Sequence, residues 1–349
     1  MFIVYAEKEI FENIVLFNER TPNWYNIFCN HSEVCLNITD EELEAEEIEG
    51  TLIFEFIKAT GGRSVIALKE YFDTIYDDNS VIAAKPRSAF FLSYSANEAE
   101  VIQNSYGVIV QSAESINDDV LTGSYKKKLL KDEEIEDGVC IGWKSLLKFA
   151  FPPSNALVIS DNYLLQSTER IGGNYVASGK SNILWLLDAI LPDSLSIPYH
   201  VTIISEDNNN NETWRNRFAG QLNTEINALR NYDINVEIVF IKSEMLHERL
   251  LLMNYINSSC EHGFYLFKAR DGKTVHVVNK LQINSYFSSL HNSQGESEYQ
   301  VANKDLSILK KVCNELAAHI YAGTPVYRGA ILGGCNQNKS LKNRLINDV

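Results

Sequence analysis

The stretch Met245-Leu246-His247-Glu248-Arg249-Leu250-Leu251-Leu252-Met253-Asn254-Tyr255 places an imidazole, a guanidinium two residues later and a carboxamide five residues after that. Side chains of an extended chain alternate between faces, so in a strand-like segment His247 and Arg249 share one face. That pair suits a phosphodiester. A forked guanidinium binds two non-bridging oxygens at once, and an imidazole can attack phosphorus or donate a proton. The same residues also fit a capped or partly buried His247 and an Arg249 in a surface ion pair. His200 and His276 fall on strand-like segments, where each could supply a general acid or simply end a strand. Asp161 follows the strand-like run Ala156–Ile159, a position where α/β proteins place functional groups, and with Asn162 it makes a turn equally well.

The segment resembles the phospholipase D superfamily signature, His-x-Lys-x4-Asp, with Arg249 in place of Lys and Asn254 in place of Asp. It is most similar to the degenerate phospholipase D-like domain at the C-terminus of MIT-domain proteins, and the stretch Cys260-Glu261-His262-Gly263-Phe264-Tyr265 follows it as that motif's glycine-bearing strand does. The likeness covers residues 145–290. It implies a phosphate ligand, nucleic acid or phospholipid head group, held by His247, Arg249 and Asn254, and by analogy a setting in bacterial antiviral defence. An active member of that superfamily joins two such motifs, so that one His attacks while the other protonates the leaving oxygen. This chain has one. Arginine keeps the charge and changes the geometry, and asparagine removes the carboxylate, so the resemblance implies phosphate recognition more firmly than hydrolysis. Two alternatives stay open: a metal-independent phosphodiesterase or nuclease completed by homodimerisation, with His247 catalytic, and a non-catalytic interaction module.

Other motifs carry less. The run Gly172 to Ser181 ends in Gly-Lys-Ser, but a phosphate loop needs glycine where Asn174 stands, and Ser181 or Asn182 capping a helix explains the same composition. Cys29, His31 and Cys35 lack the paired spacing of a zinc site, so no metal and no cofactor is expected. A G-x-S-x-G elbow is absent from the sequence.

These residues must be positioned by a chain of 349 residues, 45% hydrophobic, a length that suits two domains. The expected class is α/β. An N-terminal α/β domain of unknown type spans 1–140, and a phospholipase D-like domain spans 150–349, with a mixed, largely parallel sheet flanked by helices. The boundary is expected within 131–153, where charge blocks, Gly138 and Pro152-Pro153 cluster. Strands are expected at Phe2–Ala6, Glu33–Ile38, Thr51–Phe56, Ser64–Leu68, Ala89–Tyr94 and Tyr106–Gln111. In the second part they fall at Ala156–Ile159, Tyr199–Ser205 and Asn235–Ile241, with a strand pair around Asp271-Gly272. Helices are expected at Asn97–Asn104, Ser181–Leu191, Glu212–Asn231 and Leu306–Tyr321.

A net charge of −15 disfavours broad attraction to nucleic acid or anionic membrane. Locally, residues 301–349 carry seven Lys or Arg against three acids, 7 − 3 = +4, which leaves room for a polyanion site. Residues 40–49 hold seven acids, a surface through which the N-terminal part could meet a protein partner. Six scattered cysteines read as reduced thiols, and no apolar run approaches the length that crosses a bilayer, so the expected location is cytoplasmic.

Overall fold

A computed structural model describes residues 2–46, 48–63, 65–206, 212–241, 249–288, 295–322, 330–333 and 341–347. The chain divides into two compact units, Met1–Thr122 and Gly123–Val349.

The first unit alternates strands and helices: β1 (Phe2–Ala6), α1 (Lys8–Leu16), α2 (Pro22–Asn30), β2 (Ser32–Leu36), α3 (Asp40–Glu46), α4 (Leu52–Ala59), β3 (Val65–Ala67), α5 (Lys69–Asp77), β4 (Ser88–Phe91), α6 (Ala96–Tyr106) and β5 (Ile109–Gln111). All five strands are parallel, in the order β3-β2-β1-β4-β5. A parallel sheet is covered on both faces, and its strands are therefore buried nearly throughout. On one face Phe11, Trp24, Phe28 and Phe56 pack edge-on or stacked against one another and against Phe91. On the other, Tyr5 stacks on Phe90 at 4.8 Å above Phe72 and Ile75.

One expected strand is a helix. Thr51–Phe56 is rich in β-prone types, but Thr51 caps α4 by accepting the Phe54 amide, and Ile53 and Phe56 bury one helical face. The capping bond and the three-residue spacing outweigh the local strand preference.

The second unit contains β6 (Ser124–Leu129), α7 (Trp143–Leu146), β7 (Ala156–Ser160), β8 (Glu169–Ile171), β9 (Asn174–Val176), α8 (Ser178–Ile190), β10 (Tyr199–Glu206), α9 (Glu212–Asn227), β11 (Ile234–Ile241), β12 (Leu250–Met253), β13 (Ile256–Cys260), β14 (Asn279–Ser285), α10 (Glu298–Ala322) and β15 (Ala330–Gly333). Eight strands form one sheet, ordered β15-β11-β10-β7-β12-β13-β14-β6, while β8 and β9 make a separate hairpin.

Two expectations are corrected here. Only β7, β10 and β11 run parallel, joined by the crossover helices α8 and α9, whereas every other pairing in the large sheet is antiparallel. Two residues join β12 to β13, and a link that short permits only an antiparallel turn. The boundary also lies earlier than 131–153. β6 pairs along its length with β14, from Ser124 opposite Asn284 to Leu129 opposite Asn279, which ties residues 124–129 into the second unit.

One face of this sheet packs on α7, α8 and α9 around Leu157, Ile159, Ile203 and Leu251. On the opposite face, Glu298 at the start of α10 accepts from Asn257 at 3.0 Å and from Asn284 at 2.8 Å, so the helix begins on a cross-strand pair of β13 and β14. The pair expected around Asp271-Gly272 closes through one bridge, Phe267 to Val275. No described helix is long and apolar enough to cross a membrane.

Candidate functional site

β12 lies antiparallel to β7, with Leu250 opposite Ser160 and Met253 opposite Leu157. Arg249 and Asp161 therefore leave the sheet together, at the end where β10 also finishes. The register dictates this junction. His247, with the rest of 242–248, lies outside the described residues.

Arg249 donates from Nη1 to the Glu261 carbonyl at 3.0 Å, and its guanidinium carbon stands 5.8 Å from the Tyr163 ring centroid. Beside it, Asp161 is buried. Its Oδ2 accepts the Phe264 amide at 2.8 Å and its Oδ1 the Tyr163 amide at 3.0 Å. Burial raises the Asp161 pKa above the ordinary value, against the opposing pull of those two amides and of Arg249. Asp161 thus pins two loops, the turn after β7 and the turn after β13, and both touch Arg249.

A cleft of about 260 Å³ opens next to Arg249, lined also by Ser259, Glu261, Lys280 and Gln282. The strand register extends its chemistry. Lys280 is paired with Lys128 and Gln282 with Lys126, and Lys126, Lys128 and Lys280 are all exposed. Lys127, on the other face of β6, pairs with Glu133 at 3.7 Å; among the described residues no carboxylate pairs with Lys126, Lys128 or Lys280. Three lysines and an arginine therefore line a path from the β6 edge to the start of β12.

Asn254 does not join Arg249. It sits at the opposite end of β12, fully buried, where its Oδ1 accepts the amides of Asn155 and Ala156 at 3.3 and 3.2 Å. Five residues of strand, at about 3.3 Å each, separate the two. His200 is also misplaced for a general acid, since it occupies the N-terminal end of β10. It is buried beside Arg344 and Lys342, and burial first, then those two charges, lower its pKa to about 3. His276 stacks on Tyr265 at 4.5 Å, with Nδ1 3.7 Å from Glu169, in a cluster of its own.

The Gly-Lys-Ser segment is resolved into separate structures. Gly172 and Gly173 form the tip of the β8–β9 hairpin, and Lys180 reaches Glu225 of α9 at 2.6 Å. Neither Ser181 nor Asn182 caps α8, which starts at Ser178; Asn182 instead accepts the Leu266 and Phe267 amides at 3.1 and 2.9 Å. The cationic C-terminal stretch makes no polyanion surface at Arg344, whose Nη1 donates to the Pro198 carbonyl at 2.8 Å at the far end of the sheet. Among the described residues no cluster of His, Cys, Asp and Glu is arranged to hold a metal ion.

Three contributors are not legible as site residues in the sequence. Lys128 stands in a run of three lysines and Lys280 alone among uncharged neighbours, and their pairing follows from a register that no local pattern reveals. His262, exposed and next in chain to the Glu261 that accepts from Arg249, brings an imidazole to the same end of the sheet.

In the first unit, the order of the sheet reverses between β1 and β4, the place where such sheets usually take a ligand. Here Glu7 fills it, accepting from the amide and hydroxyl of Ser93 and from the Tyr76 hydroxyl.

No protein-family model matches this chain, and no curated protein matches its sequence.

Proposed function

We propose that the second unit binds a phosphate-bearing ligand, a nucleic acid or a phospholipid head group, in the cleft between Arg249 and Lys280. The observation that carries this reading is the cross-strand pair Lys128 and Lys280. Like charges directly opposite one another on a sheet are destabilising. An anion held between them and Arg249 offsets that cost, and Arg249 presents the forked donor set that phosphate oxygens accept. Ser259 and Gln282 line the same cleft and add neutral hydrogen-bonding groups.

Titration with a short oligonucleotide and with a soluble phosphoinositide head group tests the reading. Arg249→Ala is expected to weaken whichever ligand binds by about 1.5–3 kcal/mol, the range for hydrogen bonds to charged groups. Affinity should fall as salt rises. Unchanged affinity in a folded Arg249→Ala protein would remove the site. Binding rather than turnover is the function proposed: the monomer should leave a phosphodiester reporter intact in the presence of chelator, and cleavage by a strict monomer would count for the enzyme.

A further inference from the structure

We infer that the ligand of this unit is a single-stranded nucleic acid, whose bases stack in a second groove of the same unit. The inference rests on the phosphate reading above and narrows it. The groove has a volume of about 480 Å³ and is lined by Leu165, Gln166, Tyr175, Glu206, Trp214 and Phe218. Trp214 and Phe218 stack on each other at 5.1 Å along α9, forming one wall. Tyr175, from β9 of the hairpin, is 78% exposed, a large ring left in solvent at the mouth of an aromatic groove.

Its location connects it to the cations. Glu206 ends β10, Asp161 follows β7 and Arg249 precedes β12, three neighbouring strands of one sheet. Two strand spacings, about 10 Å, separate the Arg249 and Glu206 backbones. Between them stands Tyr163, 54% exposed beneath the Arg249 guanidinium. A single strand crossing this edge of the sheet, from Lys280 on the α10 face past Arg249 and Tyr163 to Tyr175 and Trp214 on the α9 face, would meet charge for its backbone and flat faces for its bases. An inositol ring has no flat face to stack. A buried acyl chain would meet the Glu206 carboxylate, which instead suits an N–H donor on the edge of a base, the ring N3–H of thymine included.

The test uses the full chain and three probes at low salt: an oligothymidine strand, an abasic strand of equal length, and vesicles containing a phosphoinositide. Tyr175→Ala, at an exposed position where loss of fold is not expected, should lower affinity for the oligothymidine about 5- to 150-fold, the worth of one stacked base. The abasic strand should bind wild type and Tyr175→Ala alike. Arg249→Ala should weaken both strands. Trp214 emission should be quenched by the oligothymidine, with Trp214→Phe identifying the signal. If Arg249→Ala weakens both strands and Tyr175→Ala weakens neither, the phosphate reading stands and the base groove is overturned. If Arg249→Ala affects neither strand, the phosphate reading itself falls. Binding to vesicles without binding to oligothymidine overturns the inference in favour of a lipid.

Discussion

A Cβ placed on Gly263 would stand 2.4 Å from the Asp161 Oδ2, inside any tolerable contact. Gly263 also has φ of +85°, a conformation that side chains resist. The close approach exists because the Asp161 carboxylate reaches past Gly263 to the Phe264 amide. Gly263→Ala should therefore cost about 1–3 kcal/mol by combining backbone strain with a lost buried hydrogen bond. Urea denaturation measures this, and a variant as stable as wild type would show that the two turns are not pinned as described.

The Lys128 and Lys280 pair predicts opposite signs for stability and affinity. Lys280→Gln removes a like-charge neighbour and should stabilise the unliganded protein by about 0.2–1 kcal/mol at low salt. The same variant should bind the phosphate ligand more weakly. Thermal melts with and without ligand separate the two effects, and a Lys280→Gln protein that is both less stable and unchanged in affinity would contradict the assignment.

Asn254 separates a structural amide from a ligand-binding one. Its Oδ1 holds the amides that open β7, so Asn254→Ala leaves buried donors unpaired and should destabilise by about 1–3 kcal/mol. Ligand affinity, measured where the variant is folded, should match wild type. A selective loss of affinity would return Asn254 to the site.

His200 gives a pH dependence with a defined sign. Its pKa is lowered from 6.5 to about 3 in the folded protein. Above 6.5 the side chain is neutral whether folded or unfolded, and its contribution is fully present; as pH falls below 6.5 the unfolded chain takes up a proton that the folded protein refuses. Stability should drop by up to about 1.4 kcal/mol per pH unit from this group as pH falls toward 3. His200→Gln should flatten that part of the profile, and identical slopes in both proteins would show that the group titrates normally.

The sequence was most legible where composition and burial agree. The Val- and Ile-rich runs of β7, β10 and β11, spaced by helices, are parallel strands buried nearly throughout, and such strands are largely continuous apolar segments. It was least legible at β6. Ser-Tyr-Lys-Lys-Lys-Leu is an edge strand whose exposed face carries lysine, so its pattern looks like a charge run rather than a core element. The site was legible only at Arg249, for a related reason. His247 lies outside the described residues, five residues of strand carry Asn254 to the other end of β12, and only the register against β7 reveals that Arg249 belongs with Asp161.

The place of β6 at the sheet edge also bears on how this unit would behave if cut from the rest of the chain. A fragment begun at residue 150 would lose the strand that covers β14, leaving open those amides and carbonyls of β14 that face β6 rather than β13. Such a margin recruits strands from neighbouring molecules. That fragment would be prone to self-association, whereas one begun at Gly123 would keep three consecutive lysines as its guard against fibrils.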